Sequence, residues 1–501
     1  MSDASFKHIV FIPAPSWGHL RPAMKTSLRM VEKFQDLFIS LFVYDSEVPK
    51  ATKYLDTQPA TYSDRIRIVA ASGSDEEPAL PPGSPIEKVI NMEKYFDSWI
   101  TKELGQTTIT QVQGRSVGKP SWIIEDLFNG GVSLACKDLH KLPIALWCQQ
   151  GNKENGHAAR IYENLAQRTD LSLNELGETY LQELSSRLIC IPGLPVHHEW
   201  ELATQYFPFM PPLVTRMLRR RENVIQHVDT ILCCSTFEME PISAAALSNA
   251  LNKPITPFFI GPAVDAVLPR QTEPDSPVTQ FLDRAYAEKG AHSVIYIAFG
   301  TAFFPLPSSM SHLTTILDEI PSHGFKFIFA LPSARAKQLD QSWMDNHIQA
   351  GNAIFPEWTN QTAVLEHPAV HYFLSHGGWG SSTEALVRGV PMIFWPFVSD
   401  QPANSMQIAT LHNCGFELLQ VRTGPAKSTA YQNGGEVEIV GTEHAVREEI
   451  RHILELSKGP RGTHQRMNAR MLGKVIAGSV TPGGSGDIAL ERFGKGLGLV
   501  E

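Results

Sequence analysis

The chain has 501 residues, more than one ordinary hydrophobic core holds, and this length predicts two domains of about 200–250 residues each. Hydrophobic residues make up 43% of the sequence and charged residues 19%, which are the proportions of a globular protein. The formal net charge of −9 argues against a nucleic acid as the partner.

Cysteine usage and hydropathy bear on the compartment. Six cysteines occur without a Cys-x-x-Cys pair or a Cys/His metal spacing, which favours reduced thiols and no metal site. The sequence has no run of about 18 apolar residues, and its first residues lack the cleavage pattern of a signal peptide. We therefore expect a cytosolic protein without an integral membrane segment.

The first elements predict the opening of a doubly wound sheet. Residues 7–13 are predicted as a strand and 14–20 as a turn, and Pro22 suits the first position of a helix. In such sheets ligands bind beyond the carboxyl ends of the strands, where His19 is expected to lie. Taken alone, His19 is more simply a histidine that caps the following helix.

A second strand is predicted over residues 121–128 and carries Glu125 and Asp126 near its end. Strand alternation points these two carboxylates in opposite directions. A carboxylate at this place suits either a partner for His19 or the cap of the next helix.

Two groups of aromatic residues lie between the predicted strands of the N-terminal half. They suit either the roof of an acceptor pocket for a flat or lipophilic molecule or ordinary packing of inserted helices. The groups are Tyr95, Phe96 and Trp99, and Trp200, Tyr206, Phe207 and Phe209.

The predicted domain boundaries follow the change in composition after residue 262. Residues 1–262 are predicted as the N-terminal domain, 263–292 as a Pro- and charge-rich linker, and 293–480 as the C-terminal domain. Residues 481–501 are predicted to return to the N-terminal domain, with the last glycines forming a loose tail.

The most informative stretch is residues 355–404. Residues 371–375 predict a buried strand, 376–380 a glycine turn, 381–388 a helix and 390–397 the next strand. A glycine-rich turn between a strand and a helix N-terminus is a natural phosphate site, because backbone N–H groups converge there and the helix dipole favours negative charge. Taken alone, Ser381 and Glu384 are better explained as a helix capping box than as ligand contacts.

The spacing of polar and aromatic residues in this stretch resembles the nucleotide-sugar signature of family 1 UDP-glycosyltransferases, best known from plants. The matching residues are Trp358, Gln361, His367, His376, Trp379, Ser381, Glu384, Asp400 and Gln401. Two departures are Gly380, where the plant pattern has Asn, and Asn360, where it has Pro.

The resemblance implies a role for each part of this donor site. Trp358 would stack on uracil, with Gln361 near the ribose and Glu384 accepting from its hydroxyls. Asp400 and Gln401 would contact the sugar. The diphosphate would be contacted by His376 and Ser381, beside the turn residues Trp379 and Gly380, and by Thr301 at the end of the first C-terminal strand.

The resemblance extends to the N-terminal half. The family carries Gly-His in its first loop, matched by Gly18 and His19, and its histidine is the catalytic base. A strand-terminal aspartate followed by Leu-Phe partners that histidine, which selects Asp126 over Glu125. Cys148 stands where relatives often have a Ser or Thr that contacts the sugar.

The resemblance implies an α/β protein of the GT-B class, in which two Rossmann-like doubly wound domains face each other. Its activity would be inverting transfer of a hexose, with glucose the first candidate, from a UDP-sugar to a hydroxyl of a small lipophilic acceptor such as a phenol, terpenoid or sterol. The UDP-sugar would be a co-substrate, with no other cofactor, because no Asp-x-Asp metal clamp and no Gly-x-Gly-x-x-Gly dinucleotide motif is present. The alternatives are a UDP-sugar isomerase of the same fold and an inactive nucleotide-sugar binder.

Overall fold

The computed structural model divides the chain into two compact units. The first contains Met1–Gly177, Pro211–Ala263 and Gly478–Glu501, and the second contains Glu178–Met210 and Val264–Ala477. The residues described are 5–72, 85–106, 110–134, 140–148, 168, 170–207, 210–247, 254–264, 276–301, 303–424 and 429–500.

The strands are β1 Phe6–Ile12, β2 Leu37–Tyr44, β3 Ile66–Ala71, β4 Gln111–Val112, β5 Arg115–Asp126, β6 Ile144–Cys148, β7 Leu188–Ile189, β8 His197–His198, β9 Thr230–Cys233, β10 Thr256–Phe259, β11 Val294–Ala298, β12 Lys326–Phe329, β13 Ala353–Ile354, β14 Val370–Ser375, β15 Met392–Phe394, β16 Gly415–Glu417, β17 Thr429–Gln432 and β18 Gly435–Glu438.

The α-helices are α1 Trp17–Lys33, α2 Val48–Leu55, α3 Ala60–Ser63, α4 Pro85–Gly105, α5 Gly130–Leu134, α6 Leu173–Glu183, α7 Met210–His227, α8 Pro241–Leu247, α9 Pro277–Lys289, α10 Met310–Ser322, α11 Ser333–Ala336, α12 Gln341–Gln349, α13 Gln361–Glu366, α14 Trp379–Val387, α15 Gln401–Ser405, α16 Glu443–Lys458, α17 Pro460–Ser479 and α18 Ser485–Gly496. Among the described residues, no helix is long and apolar enough to cross a bilayer.

The main sheet of the first unit has the strand order β10-β9-β6-β5-β1-β2-β3, with β4 paired to β5. The strands along this path pair in parallel. The order reverses at β1, so the crevice between the carboxyl ends of β1 and β5 is the switch point where such sheets bind ligands.

Apolar residues cover both faces of this sheet, as parallel sheets require. One buried cluster joins Phe11 and Ile39 to α1 and to Leu490 and Phe493 of α18. The other joins Val10 to α4, α7 and α8. Phe96 is fully buried in this second cluster, so its role is core packing and it does not form the wall of a pocket.

The main sheet of the second unit has the order β13-β12-β11-β14-β15-β16 and is parallel throughout. This is the order of a dinucleotide-binding Rossmann sheet, with the reversal between β11 and β14. The glycine turn predicted to hold a phosphate follows β14 directly, so it lies at the switch point.

Two predicted irregular segments are helical. Residues 277–289 of the predicted linker form α9, because Ser276 caps it at the Thr279 N–H and Phe281, Leu282 and Ala285 bury one face. Gly494 and Gly496, predicted as part of a loose tail, lie in α18, because Leu490 and Phe493 pack this helix into the core of the first unit.

Candidate functional site

His19 and Asp126 meet at the switch point of the first unit. His19 Nδ1 and Asp126 Oδ2 are 2.7 Å apart, and the carboxylate is almost fully buried. A carboxylate can only accept here, so the bond fixes the imidazole tautomer with its proton on Nδ1 and its lone pair on Nε2.

The helix that carries His19 begins earlier than predicted. α1 starts at Trp17 and contains Pro22, whereas the sequence suggested that Pro22 opens it. Proline has no N–H, so this placement loses one intrahelical hydrogen bond in the second turn of the helix. As a result His19 lies in the first turn of a helix and not in a loop.

Residues that the sequence did not single out support the pair. The Phe128 N–H donates to Asp126 Oδ1 at 3.1 Å, and the Phe128 ring meets His19 edge-on with centroids 5.0 Å apart. Asn129 donates to the Ile12 carbonyl at 2.8 Å, which ties the turn after β5 to the end of β1. The sequence pointed to Phe128 only through its position two residues after Asp126.

Two neighbours of the pair are buried. Glu125, the rival carboxylate, is fully buried within β5. Cys148, at the end of β6, is buried and stands in register with Cys233 of β9.

The glycine turn of the second unit has the geometry of an anion site. Gly378 occupies the N-cap of α14 and has no side chain that would cover the first N–H groups of the helix. Gly300, after β11, has a φ of +70°, and a Cβ there would come within 2.9 Å of the His376 ring. The turns after β11 and β14 therefore pack directly on each other.

His376 is neutral in this environment. Burial lowers the pKa of His376 to about 4, although the Ala298 carbonyl acts in the opposite direction. At neutral pH its ring is therefore uncharged and carries a single N–H. Thr301, on the neighbouring turn, is exposed.

The start of α14 shows that Ser381 and Glu384 do not form a helix capping box. The helix begins at Trp379, two residues before the predicted start, so Ser381 is not its N-cap. The Trp379 side chain, at the first position of the helix, is buried. Gly380 is exposed, and a Cβ there would meet nothing within 4 Å.

Glu384 is oriented by the loop that carries Trp358. Glu384 Oε2 accepts from Gln361 Nε2 at 2.8 Å, and Gln361 Oε1 lies 3.4 Å from the Tyr296 hydroxyl. Trp358 is 74% exposed, which suits an aromatic surface on which a base can stack. His367, in contrast, is buried and bonds to Asp283 at 3.0 Å, which is a structural role.

The predicted sugar contacts start helix α15. Gln401 Oε1 accepts from the N–H groups of Phe397 at 2.9 Å and Val398 at 3.2 Å, so the side chain closes its own loop. Asp400 Oδ2 accepts from Asn404 at 2.6 Å, and Asn404 also donates to the Gly377 carbonyl at 3.0 Å. Asn404 thus joins the sugar end to the glycine turn, a role that its position one turn after Asp400 did not reveal.

Known proteins match this chain along most of its length. The family model "UDP-glucoronosyl and UDP-glucosyl transferase" matches residues 225–423. The UDP-glycosyltransferase eriJ of Hericium erinaceus is 26% identical over 466 residues, which cover 87% of this chain and 88% of that protein. The UDP-glycosyltransferase 74C1 of Arabidopsis thaliana is 24% identical over 510 residues, which cover 98% of this chain and 99% of that protein. These comparisons confirm the predicted resemblance of this chain to family 1 of the UDP-glycosyltransferases.

Solved structures establish the fold of this UDP-glycosyltransferase. Medicago truncatula UGT71G1, complexed with UDP-glucose, matches with a TM-score of 0.72 at 18% identity over 99% of this chain and 100% of that chain. Phytolacca americana UGT2, complexed with UDP-2fluoro-glucose and pterostilbene, matches with a TM-score of 0.71 at 18% identity over 98% and 99%. The predicted GT-B fold with two Rossmann-like domains is confirmed.

Proposed function

We propose that this UDP-glycosyltransferase transfers a hexose, with glucose the first candidate, from its UDP-sugar to a hydroxyl of a small lipophilic acceptor, with inversion at the anomeric carbon. The observation that carries the proposal is the 2.7 Å hydrogen bond between His19 and Asp126. A buried carboxylate behind an imidazole is the arrangement of a general base, because it orients the ring and stabilises the imidazolium. The UDP-glucose in the Medicago structure supports glucose as the first donor to test.

In this mechanism His19 Nε2 takes the proton of the acceptor hydroxyl while the acceptor oxygen attacks the anomeric carbon. Asp126 stabilises the imidazolium that results. The bond from the anomeric carbon to the diphosphate breaks, and UDP leaves with its negative charge next to the first N–H groups of α14 and the neutral His376. Fixed dipoles and N–H donors would thus stabilise the leaving group.

The sugar and nucleoside ends of the donor would use different loops. Asp400 and Gln401 would contact the sugar hydroxyls, Trp358 would stack on the uracil, and Glu384 would accept from the ribose. The fixed orientation of Glu384 by Gln361 supports this assignment, because an oriented carboxylate costs less entropy when it binds a diol.

The test measures UDP release from UDP-glucose with a panel of phenols, sterols and terpenoid alcohols. We expect acceptor-dependent release, and His19→Ala should lower kcat by roughly 10²- to 10⁴-fold while the Kd for UDP changes less than about twofold. The matched control is His444→Ala, because His444 is exposed on α16 and should leave both quantities unchanged.

Other results would redirect the proposal. Unchanged turnover in His19→Ala would refute the base. UDP binding without release under any acceptor would favour the isomerase or the inactive binder. Failure to bind UDP would reject the donor site itself.

A further inference from the structure

A segment from the N-terminal half of the sequence belongs to the second unit and touches the sugar end of the donor site. Residues 200–207, which we call the strap, lie within Glu178–Met210, a part of the second unit. Trp200 and Thr204 are fully buried and Gln205 nearly so. The strap is therefore a packed part of the second unit. Of the aromatic group suggested for an acceptor pocket, Trp200 is core, and Phe209 lies outside the described residues.

One side of the strap is anchored to residues that follow β16. The Trp200 indole donates to the Thr429 carbonyl at 3.1 Å, and the Thr204 carbonyl accepts from Thr423 and Gly424 at 2.9 and 3.0 Å. Gln205 donates to the Val421 carbonyl at 3.0 Å. These buried hydrogen bonds fix the strap along the edge of the sheet, because breaking them would leave buried polar groups unsatisfied.

The other side of the strap contacts the loop of residues 396–401, which we call the sugar loop. The Thr204 hydroxyl donates to the Pro396 carbonyl at 3.1 Å in a fully buried contact. The Phe207 ring packs against Phe397 at a centroid distance of 6.3 Å. Gln401 closes the same loop from its far end through the N–H groups of residues 397 and 398.

The sugar loop needs such support. Ser399 has a φ of +63°, a left-handed conformation that costs a non-glycine residue free energy and persists only where neighbours hold it. Thr204, Phe207 and Gln401 are among the groups that hold the loop, together with Phe299, whose ring packs on Phe397 at a centroid distance of 5.5 Å. Because Asp400 and Gln401 follow directly, a shift of the loop moves both side chains assigned to the sugar.

We propose that Thr204 and Phe207 are positioning residues for the donor sugar, and that the strap sets how well the enzyme distinguishes one UDP-hexose from another. The inference rests on the proposed roles of Asp400 and Gln401. The proposed nucleoside and diphosphate contacts lie on other loops, which meet the sugar loop through Asn404, so the strap acts first on the hexose and much less on UDP.

The test compares Thr204→Val, which removes the hydroxyl at nearly constant volume, with Thr204→Ser, which keeps it. We expect Thr204→Val to raise the KM and the Kd for UDP-glucose by about 5- to 10-fold, with the Kd for UDP within about twofold of wild type. Its preference for UDP-glucose over UDP-galactose, measured as the ratio of kcat/KM, should also fall. Thr204→Ser should restore all three quantities, which a purely structural role would not do.

The matched control is Thr215→Val. Thr215 is also buried, and its hydroxyl also donates to a proline carbonyl, that of Pro211 at 3.2 Å, but in helix α7 of the first unit. It should leave the donor constants unchanged. Phe207→Leu provides a second variant should Thr204→Val not fold, and the same pattern is expected.

The proposal is overturned if Thr204→Val and Phe207→Leu weaken the binding of UDP as much as the binding of UDP-glucose. It is also overturned if both variants keep the preference for UDP-glucose over UDP-galactose that Thr215→Val shows. Failure of the proposed function is distinct from this result. An enzyme that releases no UDP with any acceptor still permits the Kd comparison of UDP and UDP-glucose across the variants, and that comparison decides the strap's role.

Discussion

Gly380 occupies the second position of α14, where the plant signature has an asparagine. It is exposed, and its missing Cβ would meet no atom within 4 Å, so the fold does not require glycine there. An asparagine at this place would put an amide N–H beside the first N–H groups of the helix, where the diphosphate is proposed to bind.

We therefore expect Gly380→Asn to lower the Kd for UDP by about 3- to 10-fold, the effect of one added hydrogen bond to a charged group. Calorimetric titration of UDP measures it. Gly380→Ala adds the Cβ without the amide and should leave the Kd for UDP unchanged. Weaker UDP binding in Gly380→Asn would show that a side chain at 380 obstructs the ligand.

The residues proposed to carry the chemistry stand out in the sequence more than the residues that hold them. His19 and Asp126 lie 107 positions apart, yet each ends or follows a recognisable strand, and parallel strands bring such ends together. Asn129, Asn404 and Thr204 act by hydrogen bonds whose partners depend on the folded backbone. No local pattern distinguishes them from other polar or aromatic residues.

Helix α18 provides a test at the level of one element, because two of its glycines have opposite surroundings. A Cβ on Gly494 would lie 2.1 Å from the Phe34 ring, which is fully buried in the core of the first unit. A Cβ on Gly496, in the same helix, would meet nothing within 4 Å.

We expect Gly494→Ala to destabilise the protein by about 1–3 kcal/mol, because a tightly packed ring must move, and Gly496→Ala to change stability by less than about 0.5 kcal/mol. Urea unfolding of the two variants beside the wild type measures the difference. Equal midpoints for both variants would mean that α18 packs loosely on Phe34.

Element types were predicted better than element boundaries. The strand of residues 371–375 and the left-handed Gly389 after the helix are confirmed, with β14 spanning Val370–Ser375 and Gly389 having a φ of +68°. The start of α14 was wrong because Ser381 and Glu384 have the spacing of a capping box, whereas the chain turns into the helix at Gly378. Glycine at an N-cap is the weaker sequence signal of the two.

The pH dependence of stability is a property of the whole molecule, and His8 is one residue that contributes to it. His8 is buried, with Nδ1 donating to the Gly118 carbonyl at 3.1 Å and Nε2 lying 2.8 Å from the Ser40 hydroxyl. Burial, with Arg67 nearby, lowers the pKa of His8 to about 3 from the usual value of 6.5. The unfolded chain therefore takes up a proton below pH 6.5 that the folded protein does not bind until about pH 3.

The contribution of His8 to the free energy of unfolding is complete above pH 6.5 and is lost as the pH falls below this value. We expect the wild type to lose about 1 kcal/mol of unfolding free energy relative to His8→Gln between pH 7.5 and 5.5. Urea unfolding at several pH values measures this difference. His444→Gln, at an exposed position, serves as the control and should keep a constant offset from the wild type. A constant offset for His8→Gln as well would mean that His8 is protonated in the folded protein.

The division into two units was only partly predictable. A change in composition after residue 262 marks the main passage between the two sheets, but it gives no sign that Glu178–Met210 joins the second unit. The strap has polar and aromatic residues of ordinary composition, and its partners lie more than 190 positions later in the chain. Only the folded backbone brings them together.

The placement of α18 has a consequence for synthesis on the ribosome. The core of the first unit includes Leu490 and Phe493, so this unit cannot complete its packing until residue 493 has been translated. The strap emerges early and has no sheet to pack on until residues beyond 420 follow. The first unit therefore completes its packing only after most of the second unit has been translated. An exchange of halves between relatives at one junction near residue 263 would place the strap and α18 of one parent against the sheets of the other.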